Sequence, residues 1–122
     1  MIVSFAELQD YISAVDELDD YHPNAQVAIK IVKIYREAKM QLNSHETARE
    51  NMMNECLEKT EEGQFIKDEG GYVVKPDKAD ILERFMRQTT TSIAVEQKLN
   101  VEELDELNLT MKEFKAFAPF IE

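Results

Sequence analysis

The residues best suited to chemistry lie in the run His45-Glu46-Thr47-Ala48-Arg49. A zinc-protease helix carries two histidines at a spacing of one helical turn, with a glutamate that activates the zinc-bound water. Arg49 stands where the second histidine is needed, and His22 is too distant in sequence to replace it. The run therefore predicts no metal site.

Cys56 is the only cysteine, so it is the only candidate thiol nucleophile and forms no intrachain disulfide. A reactive thiolate needs a cationic neighbour or a helix N-terminus, whereas Cys56 follows Asn54 and Glu55 late in a predicted helix. We interpret it as a small buried side chain in a reducing compartment. The three glycines fit no phosphate-binding pattern, and we expect a non-enzymatic protein without a cofactor.

The amino-acid composition limits which classes of protein this chain can belong to. The chain has 122 residues, 43% of them hydrophobic, which is enough for a single domain over residues 1–122. Its formal net charge of -11 excludes a sequence-independent binder of the nucleic-acid backbone, because such binding requires positive charge. No run approaches the ~20 apolar residues of a membrane span, so we expect a soluble cytoplasmic protein.

The first predicted element is a helix with an acidic end. Ser4 and Glu7 form a capping-box pair, and an apolar residue recurs at helical spacing until about Asp20. Acidic side chains near a helix C-terminus are unfavourable because the helix dipole is negative there. The three acids at this end form a second candidate partner-binding surface: Asp16, Asp19 and Asp20.

A second, long helix is predicted over residues 24–62, which contain neither proline nor glycine, with Gly63 as its C-cap. An apolar stripe with a three-four repeat runs along it, interrupted by two polar residues. Its members are Ala28, Ile31, Tyr35, Ala38, Leu42, His45, Arg49, Met52 and Cys56. We favour one continuous helix over a break near Ser44, after which Thr47 and Glu50 would cap a second segment.

Short elements fill the rest of the chain, and the predicted fold is α+β and mostly helical. The turn Asp68-Glu69-Gly70-Gly71 lies between β-prone runs and predicts a β-hairpin. A third helix capped by Asp77 follows, and then a β-branched strand over residues 89–95 that joins the hairpin. Two short C-terminal helices begin at capping-box pairs, Asn100 with Glu103 and Thr110 with Glu113.

Basic residues are concentrated on the long helix. Residues 1–29 contain no lysine or arginine, whereas Lys30, Lys33, Arg36 and Lys39 follow at regular spacing. Such a stripe either binds nucleic acid or an acidic partner, or packs against the acidic first segment of the same chain. We favour packing within the chain, because alternating charge is typical of a solvated helix face.

The function predicted from these features is protein interaction. A heptad-like helix with a polar interruption commonly sets a partner or an oligomeric state, either by self-association through residues 24–62 or by binding another protein. The predicted surface is the exposed side of that helix at His45, Arg49, Met52 and Met53. The alternative is an acidic inhibitor that mimics nucleic acid and blocks the basic groove of another protein.

The order of elements resembles a family of small accessory proteins encoded by tailed bacteriophages. The stretches that carry the resemblance are EEGQ at 61–64, DEGGYVV at 68–74, IAVE at 93–96 and LNVEEL at 99–104. The resemblance implies a viral accessory protein in the host cytoplasm that acts in virion assembly or binds a host factor. It implies no catalytic residues.

Overall fold

The computed structural model describes residues 1–18, 21 and 23–122. The fold is α+β and 59% of the described residues are helical, with a long central helix and short C-terminal helices, as the sequence predicts. The strands form two small two-stranded sheets. The elements in chain order are β1 Ile2–Ser4, α1 Phe5–Asp16, α2 Ala25–Cys56, β2 Lys67–Asp68, β3 Gly71–Tyr72, α3 Ala79–Met86, β4 Thr90–Ser92, α4 Val101–Asp105 and α5 Met111–Phe117.

Contacts divide the chain into two compact units. Unit 1 comprises Met1–Asn43 and Thr89–Glu122, and unit 2 comprises Ser44–Gln88. Helix α2 contributes its first part to unit 1 and its last part to unit 2. Within the described residues, no helix combines the length and apolar character needed to cross a bilayer.

The predicted capping boxes are present in full. In each of them the capping side chain accepts a backbone N–H of the first turn, and the glutamate three residues later accepts the N–H of the cap. The pairs are Ser4 with Glu7, Asn100 with Glu103, and Thr110 with Glu113. These short side chains satisfy helix N–H groups that otherwise lack partners, so three helix starts are fixed locally.

Helix α1 ends at Asp16, earlier than the predicted Asp20. The N–H of Leu18 donates to the carbonyl of Val15 at 3.0 Å, a three-residue span that tightens the chain out of the α-helical pattern. Asp19 and Asp20, which we predicted at this end, lie outside the described residues.

The core of unit 1 forms around Tyr11, which is fully buried. Its hydroxyl donates to the carbonyl of Ile31 on α2 at 2.7 Å. The edges of two further aromatic rings meet the Tyr11 ring, with centroids at 5.2 Å for Phe117 and 4.7 Å for Phe120. One side chain thus contacts α1's two main neighbours in the core, α2 and the C-terminal segment.

The buried face of α2 in unit 1 is Val27, Ile31, Ile34 and Ala38. The predicted stripe has Ala28 and Tyr35 where the buried face has Val27 and Ile34, each one residue earlier. Its other two positions, Ile31 and Ala38, are the same. Branched side chains bury more apolar area than Ala28, and the hydroxyl of Tyr35 needs a polar partner. In this part of α2 the apolar stripe is covered by the chain's own core.

The prediction that β4 joins the hairpin is wrong. The strand pairs antiparallel with β1. Val3 lies opposite Thr91, and its side chain is buried. The N–H of Phe5 extends the pairing by donating to the carbonyl of Thr89 at 3.0 Å. Only Thr90–Ser92 of the run predicted over residues 89–95 forms a strand, and local propensity does not specify which distant edge it pairs with.

Helix α2 runs unbroken past Ser44, as predicted, but it ends at Cys56 rather than at residue 62. Immediately after the helix, Leu57 forms an antiparallel bridge with Val74, and the N–H of Glu58 donates to Val73 at 2.8 Å. Pairing with the hairpin segment therefore replaces the last predicted helical turns. Gly63, with φ of 83°, lies in a later turn and does not cap the helix.

Unit 2 contains the predicted hairpin and α3. Strands β2 and β3 pair at two positions, and Asp68 Oδ1 accepts the N–H of Gly70 in the loop at 2.8 Å. Asp77 does not cap α3, because Pro76 starts a 3-10 turn that contains Asp77 and ends at Lys78. Lys78 precedes α3 without a side-chain capping bond.

Candidate protein-binding groove

An apolar groove of about 210 Å³ lies within unit 2, between the last turns of α2, the hairpin segment and α3. Its walls are almost entirely aliphatic, thioether and aromatic side chains, with one guanidinium. The lining residues are Arg49, Met52, Met53, Leu57, Tyr72, Val74, Leu82, Phe85 and Met86. We call this surface the methionine groove.

Helix geometry explains the α2 wall of the methionine groove. Arg49, Met52, Met53 and Cys56 recur at spacings of three and four residues, so their side chains share a face. Cys56 is fully buried, and its thiol lies 3.8 Å from the sulfur of Met52. Met52 and Met53 are both half-buried, and the sulfur contact with Cys56 fixes the position of Met52 in the groove wall. Cys56 is thus a packing residue, as its sequence setting predicts.

Helix α3 supplies the opposite wall. Leu82, Phe85 and Met86 lie on one face of a helix in which no residue is fully buried. The side chain of Met86 remains 65% exposed. An apolar helix face that its own unit covers only in part indicates a surface available to another molecule.

His45 and Arg49 stand at the same groove. The imidazole ring of His45 stacks on Phe85, with centroids 5.5 Å apart and an interplanar angle of 14°. Arg49 pairs with Glu46 at 3.0 Å, which balances its charge at the rim. The structure thus brings together all four residues that the sequence predicts on α2, although His45 acts through its contact with Phe85 and does not itself line the groove.

The hairpin segment contributes two residues that the sequence did not predict at the site, Tyr72 and Val74. The ring of Phe65 meets the Tyr72 ring edge-on at 5.8 Å, and Lys67 Nζ lies 4.7 Å from the Tyr72 centroid. These contacts fix the aromatic wall. The apolar spacing on α3 was visible in the sequence, but nothing local shows that this face meets Met52 and Met53.

The second predicted surface is not part of this groove. Asp16 belongs to unit 1, where its Oδ1 accepts the hydroxyl of Tyr35 at 2.9 Å. A neutral hydroxyl thus satisfies the carboxylate at the end of α1. Asp19 and Asp20 lie outside the described residues, and the acidic surface therefore stays a prediction.

The basic stripe of α2 is also in unit 1, and only part of it is neutralised there. Lys30 pairs with Glu103 of α4 at 2.8 Å, whereas we had expected an acid of the first segment. Lys39 Nζ lies 5.7 Å from the Tyr35 ring centroid. No carboxylate of the described ranges forms an ion pair with Lys33 or Arg36.

The methionine groove suits the insertion of apolar side chains. Methionines are flexible and polarisable, and they adapt to ligands of different shape. Within the part of the chain that the structure describes, no cluster of histidine, cysteine or carboxylate side chains could hold a metal ion. Comparison of the chain with protein-family models, with curated proteins and with solved structures finds no match.

Proposed function

We propose that this chain is a non-enzymatic interaction module that binds another protein through the methionine groove. The observation that carries the proposal is the convergence of Met52, Met53, Phe85 and Met86 on one incompletely covered apolar surface. The resemblance in element order favours a phage accessory protein that acts on a virion component or a host factor in the host cytoplasm.

The occupant that fits the groove best is a basic amphipathic helix of the partner protein. A volume of about 210 Å³ accommodates a few apolar anchors, such as those that one face of a helix presents at i and i+4. Unit 2 carries eleven acidic and seven basic side chains, and the whole chain carries a net charge of -11. This acidic field attracts a basic partner and opposes the approach of a second copy.

The test uses a labelled helical peptide of leucine and lysine, whose leucines form one face, and measures its affinity by fluorescence anisotropy. We expect Met53→Glu and Met86→Glu each to weaken binding at least about tenfold, because a carboxylate would be buried against apolar anchors. The direction of the change in affinity distinguishes the two kinds of binding, since added negative charge would strengthen binding of a basic peptide that is purely electrostatic.

Met111→Glu is the matched control, because Met111 is 72% exposed on α5 in unit 1. It introduces the same charge away from the groove and should leave the affinity unchanged or slightly higher. A second peptide, with its leucines replaced by serine, keeps the charge and should bind weakly. Equal binding of the two peptides, or tighter binding by Met86→Glu, contradicts the groove as the binding site.

The alternative, an acidic mimic of nucleic acid, requires rows of carboxylates that are free to meet a basic groove. On α1, Glu7 and Asp10 line a cleft together with Lys115 of α5, which offsets part of their charge. Binding by a mimic would be lost at high salt, whereas groove binding would weaken but keep the apolar contribution that salt does not screen. A steep salt dependence with no effect of Met53→Glu would therefore favour the mimic.

A further inference from the structure

A second feature, independent of the methionine groove, is the buried carboxylate of Glu113 on α5. The residue is only 6% exposed. Its Oε1 accepts two hydrogen bonds, from the N–H of Thr110 at 3.2 Å and from the hydroxyl of Tyr21 at 3.3 Å. Its Oε2 is also buried but has no hydrogen-bond partner. An unpartnered buried carboxylate oxygen is costly, so this atom needs a donor.

Glu113 lines a cleft of about 360 Å³ within unit 1, together with residues of α1 and α5. A water molecule takes about 30 Å³ in the liquid, so the cleft has room for a whole side chain or a small organic ion. Its other charged and polar lining residues are Asp10, Ser13, Glu17, Lys112 and Lys115. A second cleft, lined by Glu7 and again by Asp10 and Lys115, extends the same surface.

The charges of the cleft favour a cation. Three carboxylates, those of Asp10, Glu17 and Glu113, line it against two ammonium groups. Both lysines are exposed at the surface, and neither forms a hydrogen bond to Glu113 Oε2. The cleft lining therefore includes a buried carboxylate with one oxygen that has no donor, whereas both ammonium groups belong to exposed side chains.

We infer that this α1–α5 cleft binds a guanidinium or alkylammonium group. On binding, a small movement of the Glu113 carboxylate, whose Oε2 is closed to solvent without the ligand, brings this oxygen to the donor N–H groups of the cation, and Asp10 and Glu17 flank the cation at the cleft wall. A charge-assisted bond of this kind is among the stronger hydrogen bonds in proteins. The cation is either a small free molecule or an arginine or lysine side chain of a partner protein.

Isothermal titration calorimetry with two probes tests the inference and separates these sources. Arginine amide presents a free guanidinium and ammonium, whereas a blocked Gly-Gly-Arg-Gly-Gly peptide presents the guanidinium on a chain. We expect at least one probe to bind, with the tighter one identifying the source. Glu113→Gln should weaken that binding at least about tenfold, because the amide lacks the charge.

Glutamine is accepted at this position of a capping box, so Glu113→Gln should keep α5 folded, which far-UV circular dichroism checks. Glu102→Gln is the matched control, since it removes the same charge from an exposed position on α4. The inference is wrong if neither probe binds the folded wild-type chain, or if the two glutamine variants bind equally well.

Lys115→Met adds a test through the direction in which the cation affinity changes. It keeps the apolar stem of the side chain and removes the ammonium at the mouth of the cleft. Cation binding should become several-fold tighter as this repulsion is lost. Weaker binding of the cationic probes by Lys115→Met would show that the lysine supports the bound probe and does not repel it, and would overturn the inference.

Discussion

At the scale of the residue, Tyr11 shows how a polar atom specifies a core. Its phenol is fully buried, donates to the carbonyl of Ile31 and meets two aromatic rings edge-on. Each aromatic contact of this kind adds about 0.5–1.5 kcal/mol beyond area burial. Burial also raises the pKa of Tyr11 above its ordinary value, because the phenolate would lose its hydration.

This raised pKa makes the stability of the fold sensitive to alkali. Above about pH 10 the phenol ionises in the unfolded chain but stays neutral in the folded one, so unfolding releases a proton. We therefore expect the free energy of unfolding to fall by up to about 1.4 kcal/mol per pH unit from this residue, with the full contribution present below pH 10.

Tyr11→Phe isolates the effect, since other side chains titrate in the same range. The variant should lose about 1 kcal/mol at neutral pH, from the hydrogen bond to Ile31, and should show a shallower alkaline decline. Urea unfolding near pH 8 and near pH 10.5 measures both quantities. Identical alkaline slopes in the two proteins would contradict the assignment.

At the scale of the element, the β2–β3 hairpin contains two adjacent glycines with different roles: Gly70 lies in the loop, and Gly71 begins β3. Gly71 has φ of 108°, a region that side chains with a Cβ rarely adopt, although a Cβ there would meet no other atom. Gly70 does not have a positive φ, and a Cβ there would lie 3.4 Å from Asp68 Oδ1, an ordinary contact.

We expect Gly71→Ala to destabilise the protein by about 1–3 kcal/mol through backbone strain alone. Gly70→Ala is the matched control one residue away and should change stability by less than about 0.5 kcal/mol. Urea unfolding followed by circular dichroism compares the two variants. Equal losses would mean that the loop tolerates both positions alike and that the backbone conformation at Gly71 is not required.

Elements specified by neighbouring residues could be predicted from the sequence, and those specified by distant contacts could not. The pair Thr110 and Glu113 fixes a helix start within four residues, so its capping box was predictable. The end of α2 depends on the bridge between Leu57 and Val74, and β4 depends on β1 as its partner. The secondary-structure propensity of the local sequence predicts neither contact.

The candidate site divides in the same way. Helical spacing was enough to place Met52 and Met53 on a common surface of α2. Recognition that Phe85 and Met86 form the facing wall requires the contacts made within unit 2. That one carboxylate oxygen of Glu113 is buried without a partner could not be predicted, because the sequence around Glu113 indicates only its role in the capping box.

At the scale of the whole molecule, the net charge and the burial of the predicted apolar stripe of α2 both affect self-association. Of the predicted stripe, Ile31 and Ala38 are buried in the core of unit 1, and Tyr35 and Leu42 are partly buried against it. Two copies with a net charge of -11 each repel at low salt. A heterologous partner is therefore favoured over a homo-oligomer through residues 24–62.

Light scattering measures this directly. We expect the mass of a single 14.2 kDa chain at both low and high salt. A dimer that forms only at high salt and is lost in Met86→Glu would mean that a second copy occupies the methionine groove. A stable dimer under both conditions, unaffected by Met86→Glu, would place self-association on another surface of α2.

The pairing of β1 with β4 has a consequence for the order in which the chain can fold during synthesis. Unit 1 is built from both ends of the sequence, whereas unit 2 is one uninterrupted segment. During synthesis, Ser44–Gln88 is complete in the chain before β4 is added, and β1 has no edge partner until then. We expect a released chain that ends after Gln88 to protect the hairpin from proteases while α1 is still cleaved.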